Sequence, residues 1–115
     1  MKKELYFITV KHEGDKEMHA KECRGYIYTD RYNNRYGCAK VRDVWYITEL
    51  TTGHLANVIG IEPRKRSEIP DFLDKIADFV NEHIIKDDEA YPKSKAIIKW
   101  AYAKWERDHI ASALH

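Results

Sequence analysis

Apolar residues alternate along the first half of the chain and recur at helical spacing along the second. Leu5 to His12 reads as a strand. Leu5, Phe7 and Thr9 alternate with Tyr6, Ile8 and Val10, so both faces are largely apolar and a central position in a sheet is expected. Glu13-Gly14-Asp15 is a turn. Lys16 to Cys23 fits an outgoing strand or an irregular link; the alternative is a short helix capped by Asp15 and ending near Gly25. Gly25 to Thr29 is a strand. Asn33-Asn34 suits a turn because asparagine tolerates positive φ, and Tyr36 to Val41 returns, with Gly37 marking a bulge. Val44 to Leu50 is a clearer strand, with Val44, Tyr46, Thr48 and Leu50 on one face and Trp45, Ile47 and Glu49 on the other. Thr51-Thr52-Gly53 turns the chain, and His54 to Ile61 returns as its hairpin partner.

The pattern then changes period. Glu62 to Arg66 is a basic connector. Ser67 is a candidate N-cap, and Pro70 sits in the first turn, where its missing N–H costs nothing. Ile69, Phe72, Leu73, Ile76, Phe79, Val80, His83 and Ile84 form a helical stripe, with His83 read as a half-buried structural histidine. Asp71, Asp74, Asp78 and Glu82 lie opposite. Asp87-Asp88-Glu89 ends this helix, since acids are unfavourable at the negative end of its dipole. Pro92 opens a second helix running to about His109, with Ile98, Ala101, Tyr102, Trp105 and His109 as its stripe and Trp100 off it. Strands followed by helices predict an α+β fold over residues 1–115 as one domain. An antiparallel β-sheet of about four or five strands, in the N-terminal two-thirds, packs against two C-terminal α-helices.

Composition narrows the class. The chain has 115 residues, enough for a modest core without disulfides or metals, and its net charge is +1. The distribution is uneven. Residues 1–66 carry 13 basic and 9 acidic side chains, residues 67–89 carry 2 and 8, and residues 90–115 carry 5 and 2. Such asymmetry marks faces that suit different partners, unless the segments neutralise one another in the fold. No apolar run approaches the ~18 residues of a spanning helix, so no membrane partner is expected. The N-terminus reads as a strand rather than a signal peptide, and Cys23 and Cys38 fit small core residues in a reducing, cytoplasmic setting.

Motifs for phosphate loops, dinucleotide folds, nucleophile elbows and zinc helices are missing, as is any C-x-x-C pair, so no cofactor is expected. His12, His19, Cys23 and Cys38 are the one set of metal-ligand type near the strands, with His19 and Cys23 sharing a face only if that segment is helical. Two thiols and two surface histidines without metal is the preferred reading. Glu49, Thr51, Thr52 and His54 surround one hairpin with Asp43 nearby, which would suit a small hydrolase-type enzyme centred on His54 and Glu49.

The segment from Arg24 to Arg42 interleaves Arg24, Arg31, Arg35 and Arg42 with Tyr26, Tyr28, Tyr32 and Tyr36. Arginine and tyrosine together suit protein hot spots, and they equally suit phosphate clamping with base stacking. Arg64, Lys65 and Arg66 add a second cluster, and Trp100 lies beside lysines on the last helix. These twelve residues are the expected partner-binding set. The sequence therefore favours a non-catalytic regulator or inhibitor of a protein partner, of the kind made by phages and other mobile elements. The alternative is nucleic-acid binding through the arginine and tyrosine ribbon. A homodimer through a sheet edge or the Trp100 face stays open.

Overall fold

The computed structural model describes residues 1–58 and 60–113, with side chains up to residue 110. Five antiparallel strands run in the order of the chain: β1 Glu4–Val10, β2 His19–Thr29, β3 Arg35–Val41, β4 Val44–Glu49 and β5 His54–Leu55. Two helices follow, α1 Ile69–Val80 and α2 Pro92–Ala113. The fold is α+β, with the sheet in the N-terminal part and the helices at the C-terminal end. No described helix is long and apolar enough to cross a membrane.

The second strand organises the sheet. Its first half pairs with β1, from Val10 opposite His19 to Glu4 opposite Gly25. Its second half pairs with β3, from Tyr26 opposite Cys38 to Thr29 opposite Arg35. Gly25 stands at the changeover, where a Cβ would fall 2.4 Å from the Cys38 carbonyl oxygen. The residues before His19 are irregular, so His19 and Cys23 belong to a strand and not to a helix face. The loop between β2 and β3 turns at Asn33, whose φ is 64°. Arg42 and Asp43, with φ of 50° and 64°, make the two-residue turn between β3 and β4.

Two apolar clusters hold the helices. Tyr36, Cys38, Trp45 and Ile47 of the sheet meet Ile69, Phe72, Leu73, Ile76 and Val80 of α1. Phe7 meets Ile98 and Ala101 of α2, flanked by Leu5, Ala20, Tyr102 and Trp105. Each fully buried aliphatic or aromatic side chain contributes about 1.5–3 kcal/mol, so the stripes decide where the helices lie.

Several expectations are corrected. β1 is an edge strand and not a central one. Both its faces are apolar for another reason: Leu5 and Phe7 lie in the α2 cluster, while Tyr6 is buried on Gly37. Gly37 makes no bulge, since it pairs in register with Ile27 and Thr48. It is glycine because a Cβ would meet the Tyr6 ring at 2.6 Å. The strand from His54 shrinks to two residues; Ile59, read as part of it, lies outside the described residues. Ser67 caps nothing. It lies within a 3₁₀ turn, Arg66–Glu68, and α1 starts after Glu68 with no side-chain cap. Beyond Val80 the helix widens into a π turn, Asn81–Ile85. His83 leaves the stripe there and Phe79 already lies at its margin within α1; both are exposed, with ring centroids 4.9 Å apart.

Candidate functional site

The turn between β4 and β5 is built around one buried carboxylate. Glu49 is 1% exposed. Its Oε1 accepts the Thr51 amide at 2.7 Å and the Thr51 hydroxyl at 2.6 Å; its Oε2 accepts the Thr52 amide at 2.9 Å and the Thr52 hydroxyl at 2.7 Å. Four donors satisfy a group that would otherwise be costly to bury. Thr9 locks the turn to β1: its amide donates to the Gly53 carbonyl at 2.9 Å and its hydroxyl to the Thr52 carbonyl at 2.6 Å. The close approach requires Gly53, whose φ is +71° and whose Cβ would lie 2.7 Å from the Thr9 nitrogen.

His54 follows directly. Its amide donates to the Thr52 hydroxyl, its Nε2 lies 2.7 Å from Ser94 Oγ, and its ring packs on Tyr91 with centroids 4.9 Å apart. Burial pushes its pKa below the ordinary 6.5, while the nearby Glu49 charge acts in the opposite sense. Glu49, Thr52, His54 and Tyr91 form the polar end of a groove of about 480 Å³. Leu55, Val58, Ile61, Ile76, Phe79 and Ile84 supply apolar walls, and Lys75 stands at the margin. Leu55, Val58, Ile61, Phe79 and Tyr91 are each more than 40% exposed, an unusual gathering of large apolar side chains around one depression.

The groove brings Glu49 and His54 together, as a hydrolase centred on them requires, and leaves Asp43 out. Asp43 sits in the β3–β4 turn beside Lys40, six residues along the chain from Glu49 and so about 20 Å away. Ser94 escaped the reading of the sequence. It lies forty residues from His54, near the start of α2, and a lone serine gives no signal there. Its hydroxyl is within hydrogen-bond reach of His54, yet the residue is 2% exposed and also faces Met18 Sδ at 3.8 Å.

No family model matches this chain, and no curated protein or solved structure matches it.

The twelve expected partner-binding residues divide by position. Tyr26, Tyr28 and Tyr36 face α1, and Tyr36 is fully buried with its hydroxyl donating to Asp30 at 2.7 Å. Arg31 and Tyr32 reach across to α1: Arg31 pairs with Asp78 and donates to the Asp74 carbonyl, and the Tyr32 hydroxyl donates to Asp78. Those two partners, the Tyr32 hydroxyl first, hold the Asp78 carboxyl below its ordinary range. Arg66 is spent partly inward, its guanidinium 3.7 Å over the Tyr26 ring and its Nε donating to Tyr28 Oη at 3.1 Å. Arg24, Arg35, Arg42, Arg64 and Lys65 are exposed. Trp100 is exposed with Lys104 5.5 Å from its ring, on the outside of α2.

The ligand-type residues stay apart. The His12 and His19 rings are 5.6 Å apart, and Cys23 lies four strand residues beyond, about 13 Å along β2. Among the described residues no group of three or more His, Cys, Asp or Glu gathers as a metal site would need. Both cysteines are free; burial raises Cys23 and pushes the Cys38 thiol up to about 12.

Proposed function

We propose that this chain is a non-catalytic binding protein that regulates a protein partner by seating an apolar segment of that partner in the β5–α1 groove. The observation that carries the reading is the convergence of exposed Leu55, Val58, Ile61, Phe79 and Tyr91 on one depression. Charge selects the occupant. Residues 67–89 hold eight acids against two bases, and Arg31 offsets only part of the excess. None of these acids lines the groove, whose charged lining among the described residues is Glu49 and Lys75, so they attract a segment carrying Lys or Arg at longer range while the apolar walls hold its anchors.

The polar end of the groove supports binding over catalysis. All four contacts to the Glu49 carboxylate come from its own turn, which leaves it fixing the backbone. Ser94 is packed away from the groove opening, so a nucleophile there would lack access to substrate.

A peptide selection tests the reading. Random dodecapeptides displayed on phage are selected on the whole protein, and the enriched sequences are titrated as synthetic peptides. The expected consensus pairs an aromatic or large aliphatic residue with Lys or Arg. Leu55→Asp and Phe79→Asp, both at exposed positions, then weaken binding at least tenfold with unchanged thermal melts, and Trp100→Ala leaves it intact. Absence of any consensus, or peptides that bind both charged variants equally well, would overturn the groove as the binding site.

A further inference from the structure

At the other end of β4 lies a smaller pocket of about 290 Å³. Lys3, Arg24, Lys40 and Arg66 line it, with Tyr26 and Trp45 among the remaining walls and no carboxylate residue in the lining. These four cations come from the segment before β1, from β2, from β3 and from the turn before α1. The pleat of one strand therefore does not explain their meeting. Protection of a sheet edge accounts for Lys3 but for neither Lys40 nor Arg66.

Most of this charge is not neutralised. Lys40 has an ion pair, with Asp43 at 3.7 Å, on a carboxylate whose side chain is 98% exposed. Lys3 and Arg24 have no carboxylate partner among the described residues. Arg66 is held in place by its Nε bond to Tyr28 and by its stacking on Tyr26. Its terminal nitrogens have no hydrogen-bond partner among the described residues, and because the guanidinium is already held, less side-chain entropy is lost when they bind. Like charges held this close repel, and an anion between them relieves the repulsion.

The same geometry limits the ligand. The Tyr26 ring face is covered by Arg66, and Trp45 is buried against α1, so neither offers a free face to a base. The site suits a compact, highly charged group with several acceptor oxygens and not a stacked ring. Arg64 and Lys65 adjoin Arg66 in the chain, and Arg42 lies two residues beyond Lys40, so exposed basic residues extend from the pocket in both directions. We propose that this pocket binds a phosphate group, carried either on a phosphodiester backbone or on a small phosphorylated molecule. The proposal is independent of the groove, which lies at the Glu49 end of the strand.

Amide and indole chemical shifts of the labelled whole protein provide the test. Sodium phosphate and a 20-nucleotide oligo-dT are titrated separately, at ionic strength held constant with sodium chloride. Saturable shifts at Gly25, Ala39 and the Trp45 indole are expected with phosphate. The same residues shift at lower concentration with oligo-dT if the phosphodiester backbone is the natural source, and the affinity then falls steeply with salt. Weaker binding of oligo-dT than of phosphate assigns the pocket to small phosphorylated molecules. The double variant Lys3→Ala, Arg24→Ala, at two exposed positions, raises the dissociation constant at least tenfold for whichever probe binds, while Arg35→Ala leaves it unchanged. Failure of both probes to give saturable shifts at these residues overturns the proposal. So does binding that the double variant leaves intact.

Discussion

Gly53 carries more constraint than any other residue of the turn. It combines φ of +71° with a Cβ direction blocked at 2.7 Å by the Thr9 backbone and by Ile98. Gly53→Ala is expected to cost about 2–4 kcal/mol, from the left-handed backbone and from the clash together, and urea unfolding measures it. Gly14→Ala is the comparison: its φ is +87° but nothing lies within 4 Å of its Cβ position, so the clash is missing and the loss is smaller. His54 carries a pH dependence. Burial disfavours its proton in the fold, so the unfolded chain takes up that proton first. Its contribution to stability is complete above about pH 6.5 and drains away as pH falls from there through the lowered folded value. Unfolding midpoints at pH 7.5 and 5.0 should fall further for the native chain than for His54→Gln. Equal falls would show that His54 titrates normally. The proximity of Glu49 to His54 was legible in the sequence because one short turn joins them. The Ser94 contact was not, since it depends on where a helix forty residues later comes to rest.

Among the elements, α1 shows where a periodic pattern suffices and where it does not. Ile69, Phe72, Leu73, Ile76 and Val80 occupy one arc and are buried as their spacing predicts. Phe79 lies about 60° round the helix from Ile76, at the margin of that arc, and falls outside it. A regular helix would return His83 to the arc. The π turn from Asn81 to Ile85 advances fewer degrees per residue and leaves His83 beside Phe79. No local residue announces that turn, because part of its support comes from α2. Lys95 donates to the Ile84 carbonyl and, at 2.9 Å, to the Asp87 carbonyl, and so satisfies the open end of the helix with a positive charge. Lys95→Met keeps the stem but removes both bonds. The expected cost is about 1–2 kcal/mol, with amide exchange speeding up first at residues 84–87. Unchanged exchange there would mean that the turn holds itself.

For the molecule as a whole, the order of strands and helices was enough to predict the layers, since antiparallel hairpins in sequence leave few topologies. What the order could not supply was the sorting of the arginine and tyrosine ribbon. Its alternation places Tyr26, Tyr28 and Tyr36 against α1, whereas Arg31 crosses to the acidic face of that helix. One charged stretch of sequence thus serves three ends: core, helix clamp and basic pocket. The apolar groove and the basic pocket sit near opposite ends of β4, about 13 Å apart along the strand. A partner carrying both an apolar basic segment and a phosphate group would have to span that strand.

The division of β2 between two neighbours has a consequence for synthesis on the ribosome. The half that pairs with β3 finds its helix, α1, in the next stretch of chain to be made. The half that pairs with β1 waits for α2, which begins at Pro92 and is made after α1. Until then Leu5, Phe7 and Ala20 form a bare apolar surface on a hairpin that is complete at Thr29. The nascent chain therefore risks misassociation through this surface for as long as α2 has not cleared the exit tunnel.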